Sequence, residues 1–365
     1  MYSTADLIGF FKSFCESYTP CKSYWCYEDG CVLAGASALF EAGAGGFFRD
    51  FTVEFISERI SSGGDILTYR TDIAALDDVC SSRQLFFAYT VTNDKKYLKA
   101  ADFQMQCLKT HPRLKCGSFA HKSIYPSQLW LDGLYMAMPF YAMYDSMLNE
   151  SRCCVDIARQ FSNAKQRLCV DGGLYRHAWD ESGLSGWADE NGRSRCVWLR
   201  AMGWLLMACV DTLEVLPKSC FEHYMNIRTI FLRAVRALME CKRENGLLLL
   251  LPQLYGLSEN YAETSGNAMI CYAVLKASRL GIINPEKYLG FAWGLYDALI
   301  EQKLVGGKRP MLTDSCSCAG LGGAENRSGT PDYYISVPRA DNDRRAVAAL
   351  MLCCAERLRG NKGET

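Results

Sequence analysis

The sequence predicts an all-α protein built from twelve helices in six consecutive hairpins. Three observations carry that reading. Apolar residues recur at helical spacing through most of the chain, and Gly, Pro and Asn-Asp clusters punctuate the periodic segments. No strand period alternates with the helical one, so no βαβ unit is indicated. No repeat of fixed length is present either. Six hairpins can build an open solenoid or a closed toroid of inner and outer helices. Closure is favoured, because long aromatic-rich loops recur between the pairs, as they would around one central cavity. Residues 1–365 are read as a single such domain.

The elements follow in order. The first helix spans about Ser3 to Tyr18, with Leu7, Phe10, Phe11 and Phe14 at helical spacing and Ser3 or Thr4 as its cap. Thr19-Pro20 stops it. The second runs from about Cys26 to Ala42 and ends in Gly43-Ala44-Gly45-Gly46; the third, Phe47 to Ser61, ends before Gly63-Gly64. Asp77 to Val91 and Lys95 to Thr110 form a hairpin across Asn93-Asp94. Leu134 to Leu148 and Arg152 to Cys169 follow, and Pro139 should kink the former or mark its true start. A loop rich in Gly, Trp and charge, Asp171 to Arg193, precedes Ser194 to Leu216 and Cys220 to Glu240. Glu263 to Leu280 pairs with Pro285 to Lys303, where Pro285 suits a first helical turn. A long loop, Lys308 to Arg339, leads to the last helix, Asp343 to Leu358.

Composition narrows the function classes. Hydrophobic residues make up 49% and charged residues 22%, as in a globular protein. Lys+Arg and Asp+Glu are both 40, so no overall field favours nucleic acid or an anionic membrane. Apolar runs such as Gly246 to Pro252 are too short to span a bilayer. The start, Met1 to Asp6, lacks the basic and apolar regions of a signal peptide, and a cytoplasmic monomer or weak homodimer is expected. The 19 cysteines fit reduced, buried small hydrophobes better than a disulfide framework. Nor is zinc indicated: no C-x-x-C occurs, Cys15, Cys21, Cys26 and Cys31 are widely spaced, and Cys316-Ser317-Cys318 stands alone. Phosphate-loop, dinucleotide, G-x-S-x-G and H-E-x-x-H patterns are missing, and no metal or cofactor is called for.

The chemistry concentrates in Cys116 to Tyr144, above all in Phe119 to Met136. One of only four histidines, His121, stands there beside Lys122, with Tyr125, Trp130, Asp132 and Tyr135 following. Asp132 opens a helical segment and so could be an N-cap; its His, Lys and Trp companions tilt it towards function. Asp77 has the same ambiguity. Two carboxylates meeting in an aromatic cavity would raise one pKa and create a proton donor near neutral pH. A second cluster is Gly173 to Glu181, with His177. A third, Val197 to Trp204, holds Trp198 and Arg200, which together suit a flat ring bearing a carboxylate: stacking on one, a two-pronged fork from the other.

These residues resemble a known family. His121-Lys122-x-x-Tyr125-Pro126-x-Gln128-x-Trp130-x-Asp132-Gly133-Leu134-Tyr135-Met136 is similar to the signature of the unsaturated rhamnogalacturonyl hydrolases, glycoside hydrolase family 105. Tyr175-x-His177-Ala178-Trp179-Asp180, Trp198-x-Arg200-Ala201-Met202-Gly203-Trp204, Glu263-Thr264-Ser265, Ala319 to Gly323 and Asp332 to Ser336 with Asp341-Asn342-Asp343 follow in matching order. The resemblance implies an (α/α)6 barrel. It also implies removal of a Δ4,5-unsaturated galacturonyl residue from the non-reducing end of pectin (rhamnogalacturonan) oligosaccharides by hydration of the vinyl-ether double bond. Asp132 matches the general acid/base and Asp77 the second aspartate, although the sequence leaves open whether Asp77 or Asp78 faces inward. His121, Lys122, Trp130, His177, Trp198 and Arg200 match positions lining the sugar and carboxylate subsites, and Tyr27 matches the barrel wall. Two further readings stand beside it: an unsaturated glucuronyl hydrolase acting on glycosaminoglycan-type disaccharides, and a helical sugar-binding barrel without catalysis.

Overall fold

The computed structural model describes residues 2–361; Met1 and residues 362–365 of the expected domain lie outside the described residues. The helices are α1 (Thr4–Glu16), α2 (Tyr27–Glu41), α3 (Phe47–Ser57), a 3-10 segment (Leu76–Arg83) running into α4 (Gln84–Thr92), α5 (Lys96–Lys109), α6 (Leu131–Leu148) and α7 (Cys154–Leu168). They continue with α8 (Leu199–Val215), α9 (Phe221–Glu240), α10 (Thr264–Arg279), α11 (Pro285–Gln302), α12 (Pro331–Ser336) and α13 (Arg344–Asn361).

Burial separates two layers. In α8 every residue from Leu199 to Leu213 is buried, and in α10 every residue from Thr264 to Ser278. Such helices must be surrounded on all sides. By contrast, α7 and α9 bury one stripe each, Ile157, Phe161, Ala164 and Leu168 in α7. The inner helices pack in cyclic order, α2, the 3-10 segment with α4, α6, α8, α10 and α13, and α13 closes back on α2. Outer helices α3, α5, α7, α9 and α11 back this ring, and α1 lies against α13 and α3. The result is an (α/α)6 barrel around one hydrophobic core. Among the described residues no helix is long and apolar enough to cross a membrane.

Local chemistry accounts for the ends. Ser3 and Asp6 form a capping box on α1, with Ser3 N–H donating to Asp6 Oδ2 at 2.8 Å. Asn93, at φ 57°, ends α4 in the left-handed region that Asn tolerates. Asn284 caps α11 ahead of Pro285.

Several elements differ from expectation. The helix expected over 77–91 is a 3-10 segment followed by α4. The helix expected from Leu134 begins at Leu131 and continues through Pro139, so that proline does not mark its start. Six very short strands lie in the loops: β1 (Gln128–Trp130), β2 (Ala178–Asp180), β3 (Leu304–Val305), β4 (Met311–Leu312), β5 (Ser315–Cys316) and β6 (Arg339–Ala340). Two or three residues cannot display a period-2 pattern, which is why periodicity misses them.

Candidate active site

The site is assembled where inner helices begin. Tyr27 starts α2, Asp77 lies in the first turn of the 3-10 segment, and Asp132 in that of α6. Trp198 and Arg200 stand at the start of α8, Glu263 caps α10, and Arg345 opens α13. These ends adjoin one another round the ring. Arg345 Nη1 donates to Tyr27 Oη at 3.1 Å, and Arg200 Nε donates to Ser265 Oγ at 2.7 Å. A ring of helix N-termini gathers positive dipole ends at one end of the barrel, which suits an anionic ligand.

Two backbone stitches place the ionisable groups. Leu76 N–H donates to His121 O at 3.0 Å, which brings Asp77 against the His121–Lys122 turn. Strands β1 and β2 pair antiparallel with Trp130 opposite Ala178, and Leu131 N–H donates to His177 O at 3.0 Å. His177 is thereby delivered to Asp132.

Asp77 Oδ2 lies 2.6 Å from Lys122 Nζ, and its Oδ1 is 3.8 Å from His121 Nε2. Burial works to raise the Asp77 carboxyl, but Lys122 and then His121 outweigh it, so it sits below the usual range. Asp78 turns the other way, into a fork from Arg70, whose Nη2 donates to Oδ1 at 2.7 Å and whose Nε donates to Oδ2 at 3.0 Å. Asp77 is therefore the inward carboxylate. Burial pushes Asp78 up to about 6 against the pull of Arg70.

Asp132 Oδ2 stands 3.1 Å from His177 Nε2. Neither atom completes a directed hydrogen bond, so the pair is a close electrostatic contact. Burial raises the Asp132 carboxyl, yet His177, and to a lesser degree His121, bring the net shift below the usual value. This corrects the expectation of a raised pKa at one of the paired carboxyls. His121 is itself pushed down to about 4 by burial. Asp132 is not a cap either: Trp130 occupies the N-cap position of α6, and no side chain caps that end.

Trp130 serves as a pedestal. His121 stacks on it at 4.6 Å between ring centroids, Tyr125 at 5.4 Å, and His177 meets it edge-on at 5.0 Å. Its indole N–H donates to Gln128 Oε1 at 2.8 Å. Trp198 is only 1% exposed and packs 4.7 Å from His177 and 5.8 Å from Tyr334. It holds the imidazole in place and offers no open face of the kind expected for sugar stacking.

Arg200 also departs from expectation. Its Nε is bonded to Ser265, and its Nη2 donates to Cys316 O and lies 3.5 Å from Glu263 Oε1. Two of its three nitrogens are thus held by the protein, and the side chain is 1% exposed. The fork predicted for a carboxylate is not free, and Arg200 ties α8 to α10 and to the loop carrying Cys316. Tyr27 is half-buried, edge-on to Trp204 at 6.3 Å, which in turn stacks on Tyr135 at 4.9 Å.

Sequence reasoning missed several partners. Tyr334, on α12, bonds His177 Nδ1 at 2.7 Å and fixes the orientation of the ring. Arg345 reaches Tyr27 and Asp343. Lys22 pairs with Glu28 at 2.9 Å, and its charge is felt at Asp77. Tyr334, Glu263 and Asp343 do stand within the ordered motifs; Lys22 and Arg345 carry no such signal.

The chain matches the model of Glycosyl Hydrolase Family 88 over residues 11–360. A family 105 glycoside hydrolase from C. acetobutylicum ATCC 824 superposes on it with a TM-score of 0.91 and 32% identity, covering 98% of this chain and 99% of the other. A 24.9 kDa protein in the picA locus of Rhizobium radiobacter is 37% identical over 231 residues, 61% of this chain and 98% of its own length. The unsaturated rhamnogalacturonyl hydrolase YesR of Bacillus subtilis (strain 168) is 24% identical over 263 residues, 70% of this chain and 72% of that protein.

Proposed function

We propose, from the premise that the chain belongs to glycoside hydrolase family 105, that this unsaturated uronyl hydrolase removes the Δ4,5-unsaturated galacturonyl residue from the non-reducing end of rhamnogalacturonan oligosaccharides. The observation that carries the reading is the pairing of two half-buried aspartates with separate partners: Asp77 with Lys122, and Asp132 with His177. The first stays ionised. The second has a carboxylate oxygen free of directed bonds, 3.1 Å from a buried imidazole nitrogen.

The chemistry follows from the substrate's vinyl ether. Protonated Asp132 gives its proton to C4, and the C4=C5 electron pair forms the new C–H bond, leaving an oxocarbenium centre at C5 and the ring oxygen. Asp132, now a carboxylate, accepts a proton from water as the water oxygen bonds to C5. The resulting hemiketal opens to a ketone at C5, and the hemiacetal left at C1 releases the second sugar. One water is consumed in all. The sugar carboxylate adds a negative charge beside Asp132 and displaces water, both of which raise the Asp132 pKa in the complex. The depressed value of the free protein is thereby compatible with a donor in the bound state.

Replacing His177 by Gln tests this balance. The imidazole is what holds the Asp132 carboxyl low, so its loss leaves burial and Asp77 to push the pKa up. The acid then stays protonated to higher pH, and the alkaline limb of the kcat/KM profile moves upwards while kcat falls. A limb that does not move would remove Asp132 from the role of acid.

A neutral leaving sugar is supported by a cavity of about 450 Å³ bordered by Tyr125, Gln128, Trp187 and Arg327, where Tyr125 is the ring stacked on Trp130. Two of the three nitrogens of the Arg327 guanidinium are held by the protein: Nη2 donates to Tyr125 Oη at 2.9 Å and Nε to Gly322 O at 3.0 Å. Aromatic walls with a committed cation suit rhamnose better than a sulfated hexosamine. The name of the YesR relative points the same way. The deciding experiment follows the ultraviolet absorbance of the conjugated double bond. Unsaturated galacturonyl-rhamnose should lose it quickly and an unsaturated sulfated glycosaminoglycan disaccharide slowly. The reverse order would assign the protein to the second substrate, and no loss with either would leave a non-catalytic barrel.

A further inference from the structure

We propose that Cys21, Cys26 and Glu28 form a binding site for one zinc-type divalent cation at the start of α2. Their spacing in sequence matches no zinc motif, yet the turn that leads into the helix gathers them. Each offers one ligand atom, and these atoms lie within 4.8 Å of one another. A second, independent observation points to a ligand: Glu28 is only 8% exposed, and its Oε2 has no hydrogen-bond partner. A buried carboxylate oxygen left unbonded is costly, and a cation beside it removes that cost.

The donor set selects the metal. Two thiolates and a carboxylate supply three corners of a tetrahedron and leave the fourth to water. Sulfur ligands favour zinc over magnesium or calcium. With zinc–sulfur bonds of about 2.3 Å the two sulfurs would stand about 3.8 Å apart, so closure asks for movements of about 1 Å or less.

Asp29 already orients both cysteines. Its Oδ1 accepts from Cys21 N–H at 2.9 Å and from Tyr18 Oη–H at 2.6 Å, and its Oδ2 accepts from the Cys26 thiol at 3.3 Å. The backbone N–H of Cys21 keeps its bond to Asp29 on ligation, whereas the Cys26 thiol gives up its proton and with it the bond to Oδ2. Burial and the neighbouring carboxylates push both thiols above their usual range, so each gives up a proton to solvent on ligation. Lys22 Nζ, 2.9 Å from Glu28 Oε1, holds the position of the incoming charge. Its side chain is 36% exposed and can swing into water. Arg344, whose charge also reaches Cys21, lies over the Tyr18 ring at 5.4 Å from its centroid. The metal would fix the connection between α1 and α2 and takes no part in hydrolysis.

The test uses the full-length reduced protein titrated with Co2+ and then Zn2+. Wild type should develop a thiolate-to-cobalt charge-transfer band at one equivalent, and one equivalent of Zn2+ should bleach it. Cys21→Ser should lose about half of that band and about a hundredfold in affinity, whereas Glu28→Gln should keep the band and bind more weakly. Zn2+ should raise the Tm of wild type and leave that of Cys21→Ser unchanged. Cys21 is half-buried and carries the test if the buried Cys26→Ser variant fails to fold. A band of equal strength in Cys21→Ser, or none in wild type, overturns the proposal. Because the readout is spectroscopic, its failure is separate from any failure of the hydrolase assignment.

Discussion

Asp132→Asn should lower turnover of the unsaturated galacturonyl disaccharide by about 10³-fold while leaving the melting temperature within about 2 °C of wild type. The amide keeps the volume of the carboxyl but has no proton of suitable acidity to give to C4. Stability should survive because Asp132 does not cap α6, and its oxygens hold no directed hydrogen bond that the amide would break. Removing a half-buried carboxylate also removes its desolvation cost, which offsets the lost attraction to His177. The informative comparison is thus kcat/KM beside Tm on the same preparation. Full activity in the variant would end the assignment of Asp132 as the acid. A collapse of the fold would instead show that the contact at 3.1 Å with His177 is structural.

Glu263→Ala should give the largest loss of stability, about 3–5 kcal/mol, with Tm lower by roughly 5 °C or more. This carboxylate is fully buried, yet it serves three elements. Its Oε1 accepts from Ser265 N–H at 3.1 Å, Ser265 Oγ at 2.7 Å and Cys316 N–H at 3.0 Å, and its Oε2 accepts from Gly266 N–H at 2.7 Å. Arg200 adds a contact at 3.5 Å. Truncation strands four donors and one buried guanidinium at the junction of α8, α10 and β5. Glu263→Gln, which keeps one acceptor oxygen, should fall between the two. Thermal unfolding and urea titration of the three proteins decide the point; equal stability of Glu263→Ala and wild type would mean that water takes over every bond.

The cost at Glu263 is high because two inner-helix starts and a loop depend on one side chain, and the same arrangement explains Arg200. From sequence alone, a Trp-x-Arg pair beside a predicted cavity reads as a platform and fork for a sugar acid. In the folded chain the fork closes on Ser265 and Cys316, and the Trp is packed against Tyr334. Burial is decided by neighbours that the local sequence does not contain.

The features legible along the chain were local in origin. Helical periodicity, Gly and Pro stops and capping residues depend on positions three or four apart, so the hairpins and most of their limits could be read directly. The density of His, Lys, Trp and Asp in one loop likewise located Asp132 and its surroundings. The closed ring was reached from the recurrence of loops and from a family resemblance. Only the tertiary structure decided which aspartate turns inward and that His177 meets Asp132. It also decided that Asp132 is held low where a raised value was expected, and that Cys21, Cys26 and Glu28 converge. These outcomes rest on partners such as Tyr334, 157 positions from His177, and Ser265, 65 positions from Arg200. Such pairs are brought together by ring closure and by strands too short to leave a periodic trace. A pKa or a free donor is set by that assembled environment, so no spacing rule along the chain could have supplied its sign.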